Sequence, residues 1–101
     1  MIVFNITTKV HPAVNDAWLQ WQLDHYIPTI MAFGLFSGYQ LHRLLEQDDK
    51  EGNTFTLQFK ATDLRNYEMY MQQHATQMQQ KSFQQWGDKI ISFRSVMEVV
   101  G

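Results

Sequence analysis

Two helical stretches, each set between segments whose apolar and polar residues alternate, constrain the fold of this chain more than any other feature. Residues 2 to 10 set Ile2, Phe4, Ile6, Thr8 and Val10 against Val3, Asn5, Thr7 and Lys9, the period of a half-buried strand that His11-Pro12 ends. The alternation is cleanest in Phe55-Thr-Leu-Gln-Phe59, where three large apolar side chains share one side with Thr56 and Gln58 opposite. Tyr39, Leu41, Arg43 and Leu45 alternate with Gln40, His42 and Leu44 in a strand opened by Gly38, and the polar cluster Asp48-Asp49-Lys50-Glu51-Gly52-Asn53 turns that strand back. A last strand, Lys89 to Val100, sets Ile91, Phe93, Ser95, Met97 and Val99 against Ile90, Ser92, Arg94, Val96 and Glu98.

The first helix is expected from about Ala13 to Phe33, leaving through Gly34. At about 100° per residue, Val14, Ala17, Trp18, Trp21 and His25 fall on one stripe, which aims His25 with the two indoles toward the interior. Pro28 offers no N–H to the carbonyl of Asp24 and pushes Ile27 out of the helical region, so a kink or restart is expected beside the histidine. Leu19, Leu23, Tyr26 and Ile30 form a second apolar row, to be covered by the segment around Phe83 and Trp86 or by another subunit. The second helix, capped by Thr62 or Asp63, carries the stripe Leu64, Tyr67, Met71, His74, Ala75 and Met78 to about Gln80. A short turn through Phe83 and Trp86 then stops at Gly87.

The order β-α-β-β-α-β predicts one domain over residues 1–101, an α+β ferredoxin-like unit with a four-stranded antiparallel sheet and both helices on one face. The other face is expected to carry Asn5, Thr7, Thr56, Gln58, Ser92, Arg94 and Glu98 beside Val3, Ile90 and Val96, a mixed surface suited to packing against a second copy. A formal charge of −2 gives no footprint for phosphate backbones or anionic lipid, so neither nucleic acid nor membrane is an expected partner. With no cysteine, disulfides, thiolate metal sites and cysteine nucleophiles are excluded. The N-terminus reads at once as a strand rather than a leader, and a cytoplasmic setting is the expectation.

The aromatic helix with Trp18, Trp21, His25, Ile27 and Pro28, followed by Gly34 and Phe36, and the closing Phe93-Arg94 with Glu98-Val99-Val100, resemble an uncharacterised bacterial domain family grouped with the dimeric α+β barrels. The resemblance covers nearly the whole chain. It implies a ferredoxin-like unit whose sheet packs on that of a second copy, with a cavity between each sheet and its own helices. Relatives of that type include small monooxygenases, lactone isomerases, haem-degrading enzymes and dye peroxidases, and a fold shared by so many reactions assigns none.

Four histidines, His11, His25, His42 and His74, lack the spacing of a metal motif, and no metal site is expected. His25 reads as a core-edge histidine bonded to a backbone carbonyl or, alternatively, as a general base or haem ligand; no other cofactor is suggested. Trp18, Trp21, Tyr67 and Met71 read as core or as the walls of an apolar pocket, with His25, His74, Tyr39 and Arg43 as its polar members. Arg43, on the face of Leu41 and Leu45, needs an anion, an ion pair or an escape to the rim. The functional expectation is a small-molecule-binding homodimer, extending to a cofactor-independent enzyme on an apolar or aromatic substrate with His25 as acid or base. The alternative is a non-catalytic interaction or regulatory domain whose apolar surfaces serve assembly.

Overall fold

A computed structural model describes residues 1–48 and 50–101, and the expected place of Asp49 in the reversal after the second strand lies outside them. The strands are β1 (Ile2–Val10), β2 (Gly38–Arg43), β3 (Asn53–Ala61) and β4 (Ile90–Glu98), paired antiparallel in the order β2-β3-β1-β4. Between β1 and β2 lie a short 3-10 turn (Pro12–Val14), α1 (Asn15–Trp21), a π-helical turn (Gln22–Tyr26) and α2 (Ile27–Ala32). Between β3 and β4 lie α3 (Leu64–Gln73), α4 (Ala75–Trp86) and a 3-10 turn (Gly87–Lys89). This is the four-stranded α+β ferredoxin-like arrangement. No helix among the described residues is long and apolar enough to cross a membrane.

Residues paired across an antiparallel ladder share a face, so the register sorts the sheet. Phe4 pairs with Phe59 and Val96, Ile6 with Leu57 and Arg94, and Thr8 with Phe55 and Ser92. Phe4 meets Tyr67 and Tyr70 at ring distances of 5.4 and 5.5 Å, which identifies this as the helix-covered face. On β4 the two rows are therefore the reverse of those expected. Ile90, Ser92, Arg94, Val96 and Glu98 look toward the helices, while Ile91, Phe93, Ser95 and Met97 lie with Val3, Asn5, Thr7, Thr56 and Gln58 on the open face. Two side-chain contacts agree with it: the Thr8 and Ser92 hydroxyls are 2.8 Å apart, and Asn5 Nδ2 donates to Ser95 Oγ at 3.4 Å. The expectation failed because both rows of this edge strand carry apolar residues, so alternation alone leaves its direction open.

The main core joins Phe4, Phe36, Phe59 and Tyr70 with Ile27, Ile30 and Met78. A smaller cluster holds Val10, Trp18, Phe55 and Trp86. Gly52 sits at φ +124° with the Val10 carbonyl oxygen where a β-carbon would stand, so the reversal into β3 packs backbone on backbone. The second helical passage reaches Trp86, farther than expected; it bends at His74, and Trp86 lies edge-on to Trp21, covering part of the first helix. Leu23 of the second apolar row stays exposed, while Tyr26 and Ile30 turn inward.

Candidate functional site

The first helical passage is not broken at Pro28; it widens. In place of the bond that a proline nitrogen cannot donate, the chain inserts a π turn in which Ile27 N–H bonds back to the Gln22 carbonyl. The Thr29 hydroxyl donates to the His25 carbonyl at 2.6 Å, supplying a partner for the loosened backbone. A wide turn rotates less per residue than an α-helix, so the inward stripe runs Trp18, Gln22, Tyr26 and Ile30, all buried. His25 is displaced from that stripe and is exposed, contrary to the expectation that it would face the interior.

Between this stripe, the β1–β4 side of the sheet and α4 lies a cavity of about 250 Å³. Ile6, Leu57, Ile90, Trp18 and Phe83 form its apolar wall. Its polar lining consists of Thr8, Gln22, Tyr26, Gln79, Ser82, Ser92 and Arg94. None of these carries a carboxylate or an imidazole. With the Gln79 amide turned so that its oxygen, the only end able to accept, faces the guanidinium, the two terminal nitrogens of Arg94 both donate to it, at 2.9 Å from Nη2, which ties the edge strand to α4 across the cavity mouth. Trp18, although it lines the space, leaves its buried indole N–H without an acceptor, as does Trp86 beside it.

Burial pushes the Tyr26 phenol up to about 12, although the Tyr70 hydroxyl bonded to it and the nearby Arg94 charge both act in the opposite direction. Burial likewise raises Tyr70, reinforced by the neighbouring Tyr26, with Arg94 again opposing. Both phenols are neutral hydrogen-bonding groups at pH 7, as tyrosines ordinarily are, and among the described residues the arginine is the one charged group lining the cavity.

Of the eight residues singled out in the sequence, Trp18 lines this cavity. Trp21 and His25 border a shallower groove on the outer side of the helices, with Thr29, Met78 and Lys81. Tyr67 and Met71 pack against the main core. His74 stacks on Phe33 at 3.7 Å and 6°, where the second helical passage bends. Tyr39 is 44% exposed, and Arg43, at the end of the edge strand β2, is exposed too. Among the described residues the ion pair is Lys9–Glu51, so Arg43 takes the route to solvent. His11 accepts from the Ala13 N–H at 3.0 Å and caps the 3-10 turn. No group of three or more described His, Asp or Glu residues is placed to hold a metal. The polar lining residues missed by sequence reasoning are Thr8, Ser82, Gln22, Tyr26, Gln79, Ser92 and Arg94, and for four of them a signal can be named: Gln22 and Tyr26, then Ser92 and Arg94. The signal for the first two was Pro28; for the last two it was register, which one strand's alternation does not carry.

A family model described as "Domain of unknown function (DUF4286)" matches residues 1–100. Among curated proteins none matches this sequence. Solved structures do match in fold. A dimeric ferredoxin-like protein from an uncultured marine organism superposes with a TM-score of 0.76 at 10% identity, over 99% of this chain and 94% of that one. SnoaB of Streptomyces nogalater, a cofactor-independent oxygenase, does so at 0.67 and 14%, over 99% and 93%. An antibiotic biosynthesis monooxygenase matches at 0.66 and 14%, over the whole of both chains. At these identities the likeness is one of fold.

Proposed function

This chain belongs to the DUF4286 family of unknown function, and we propose that it binds a small apolar or aromatic molecule in the cavity between β4 and the helices, as a homodimer. The observation that carries the reading is the cavity itself: an apolar wall with a few convergent polar groups, in an interior otherwise filled by stacked rings. Its size suits one or two rings, since a dry cavity of about 150 Å³ already accepts benzene. A thermal-shift panel of flat one- and two-ring compounds tests it. A binder present at 100 times its dissociation constant adds about 2.7 kcal/mol; a panel that leaves the midpoint unmoved throughout contradicts the reading.

The dimer is supported by the open face. Ile91, Phe93 and Met97 are 70%, 64% and 42% exposed there, and Asn5, at the centre of the same face, has a buried Oδ1 with no donor. A second sheet laid on this face would bury the first three and offer a donor to the fourth. Sedimentation at micromolar concentration should give a dimer burying more than about 1,200 Å² in total.

A cofactor-independent enzyme is the second reading, favoured by the fold shared with SnoaB. In it the groups available to a substrate are the neutral Tyr26, the Thr8 and Ser92 hydroxyls and Arg94, rather than His25. The assembly-only alternative is favoured by the exposed apolar row on β4. Ligand binding by the intact dimer separates it from the binding readings.

A further inference from the structure

Resting on the reading of this cavity as a ligand site, we infer that its ligand is a monoanion, a flat carboxylate whose charged group is taken by the Arg94 guanidinium at the cavity mouth. Among the described residues the polar lining of the cavity is made of hydroxyls, amides and one guanidinium, with no acid beside it. The register puts Arg94 on the helix side of β4, opposite Ile6, where it is exposed at the mouth of the cavity and open to an incoming ligand instead of lying on the face a second sheet would cover. Its two terminal nitrogens converge on a single neutral oxygen, that of Gln79. A planar sp² oxygen bound by both prongs of the fork stands where a carboxylate would be held better, since charge-assisted bonds are about twice as strong as neutral ones. Gln79 is then the occupant that an incoming anion displaces, and its long, exposed side chain is free to swing away.

The hydroxyls around this point fit the same ligand. Thr8 and Ser92 bond one another at 2.8 Å and lie on the same side of the sheet as Arg94, so either can turn its proton toward an acceptor. Tyr26 lines the same space and, accepting from the Tyr70 hydroxyl, keeps its own O–H free to donate. The apolar wall of Ile6, Leu57, Trp18 and Ile90 takes the ring face of the molecule. A cation, by contrast, would meet the guanidinium with no carboxylate to offset it.

The test is a calorimetric titration with a panel of one- and two-ring carboxylates and their neutral amides, 1-naphthoate and 1-naphthamide among them. The acid should bind about tenfold or more tightly than its amide, the worth of one charge-assisted bond. Arg94→Gln should erase that preference, so that acid and amide bind the variant alike, and an unfolding midpoint without ligand equal to that of the unsubstituted protein certifies that the variant is folded. Arg94→Lys, keeping the charge without the fork, should fall between. Equal binding of acid and amide, or an acid affinity unchanged in Arg94→Gln, overturns the charge recognition and leaves the cavity reading standing. Failure of every acid and amide to bind overturns the cavity reading and this inference with it.

Discussion

The two ends of the layer between sheet and helices are built on opposite plans. Toward β2 and β3, Phe4, Phe36, Phe59 and Tyr70 meet one another at ring distances of 5.3 to 6.4 Å and leave no room. Toward β4, the two middle positions of the row that looks at the helices, between Ile90 and Val96, are Ser92 and Arg94, one too short to fill the gap and the other reaching across it. The same sheet and helices thus produce a packed core on one side and a cavity on the other, and the difference lies in the residues of a single edge strand. A space bounded by side chains that could have been apolar, on a strand otherwise rich in them, is what a binding site requires and a core avoids.

The largest break in that comparison should come from truncating the packed end. Phe59→Ala, with its ring completely buried, is expected to cost about 3–5 kcal/mol in denaturant unfolding. Filling the open end should behave differently: Ser92→Leu places its side chain in existing space and gives up the hydrogen bond to buried Thr8, so its cost is expected at about 1–2 kcal/mol, below that of Phe59→Ala. That variant should nevertheless lose the thermal shift given by cavity ligands. A Ser92→Leu protein as damaged as Phe59→Ala would mean that the space is absent in solution.

Between the two ends stand the paired phenols, and they respond to pH. Tyr26 ionises at about 12 in the fold against 10.0 for an ordinary tyrosine, so the unfolded chain loses its proton first. The stabilisation is complete below pH 10 and is lost as the pH rises toward 12. Tyr26→Phe should make that alkaline decline shallower, leaving the part due to Tyr70, as seen by unfolding measurements from pH 8 upward; an unchanged slope would remove Tyr26 as one of its sources. The smallest effect is expected outside both regions. His25→Ala should change stability by less than about 0.5 kcal/mol, as exposed positions do, and leave ligand binding alone.

These contrasts trace what the residue order could reveal. β3 is legible because Phe55, Leu57 and Phe59 leave one choice of inner face, and the central position of the strand enforces it. The Gly34 and Gly87 exits, with φ of +76° and +55°, and the Asp63 cap, accepting from Asn66 N–H at 3.1 Å, follow from local chemistry that any sequence displays. The site was less legible for two physical reasons. Pro28 announces a disturbed helix, but whether the disturbance becomes a kink or a wide turn is settled by tertiary packing, and that choice exchanges His25 for Tyr26 on the inner stripe. On β4, Ile91 and Phe93 compete with Ile90 and Val96 for the inner face, and only pairing with β1 decides between them. Arg94 therefore changed sides, and with it the character of the cavity.

The central claim, that the β4 end of the layer is a ligand site while the aromatic end is core, is tested most directly by nuclear magnetic resonance of the labelled protein titrated with 1-naphthoate. The account predicts shifts at the Trp18 indole N–H, at Tyr26 and along Ser92 to Arg94, with the signals of Phe36 and Phe59 unmoved. Shifts confined to the outer groove around His25 and Lys81, or spread evenly through both ends, would contradict it.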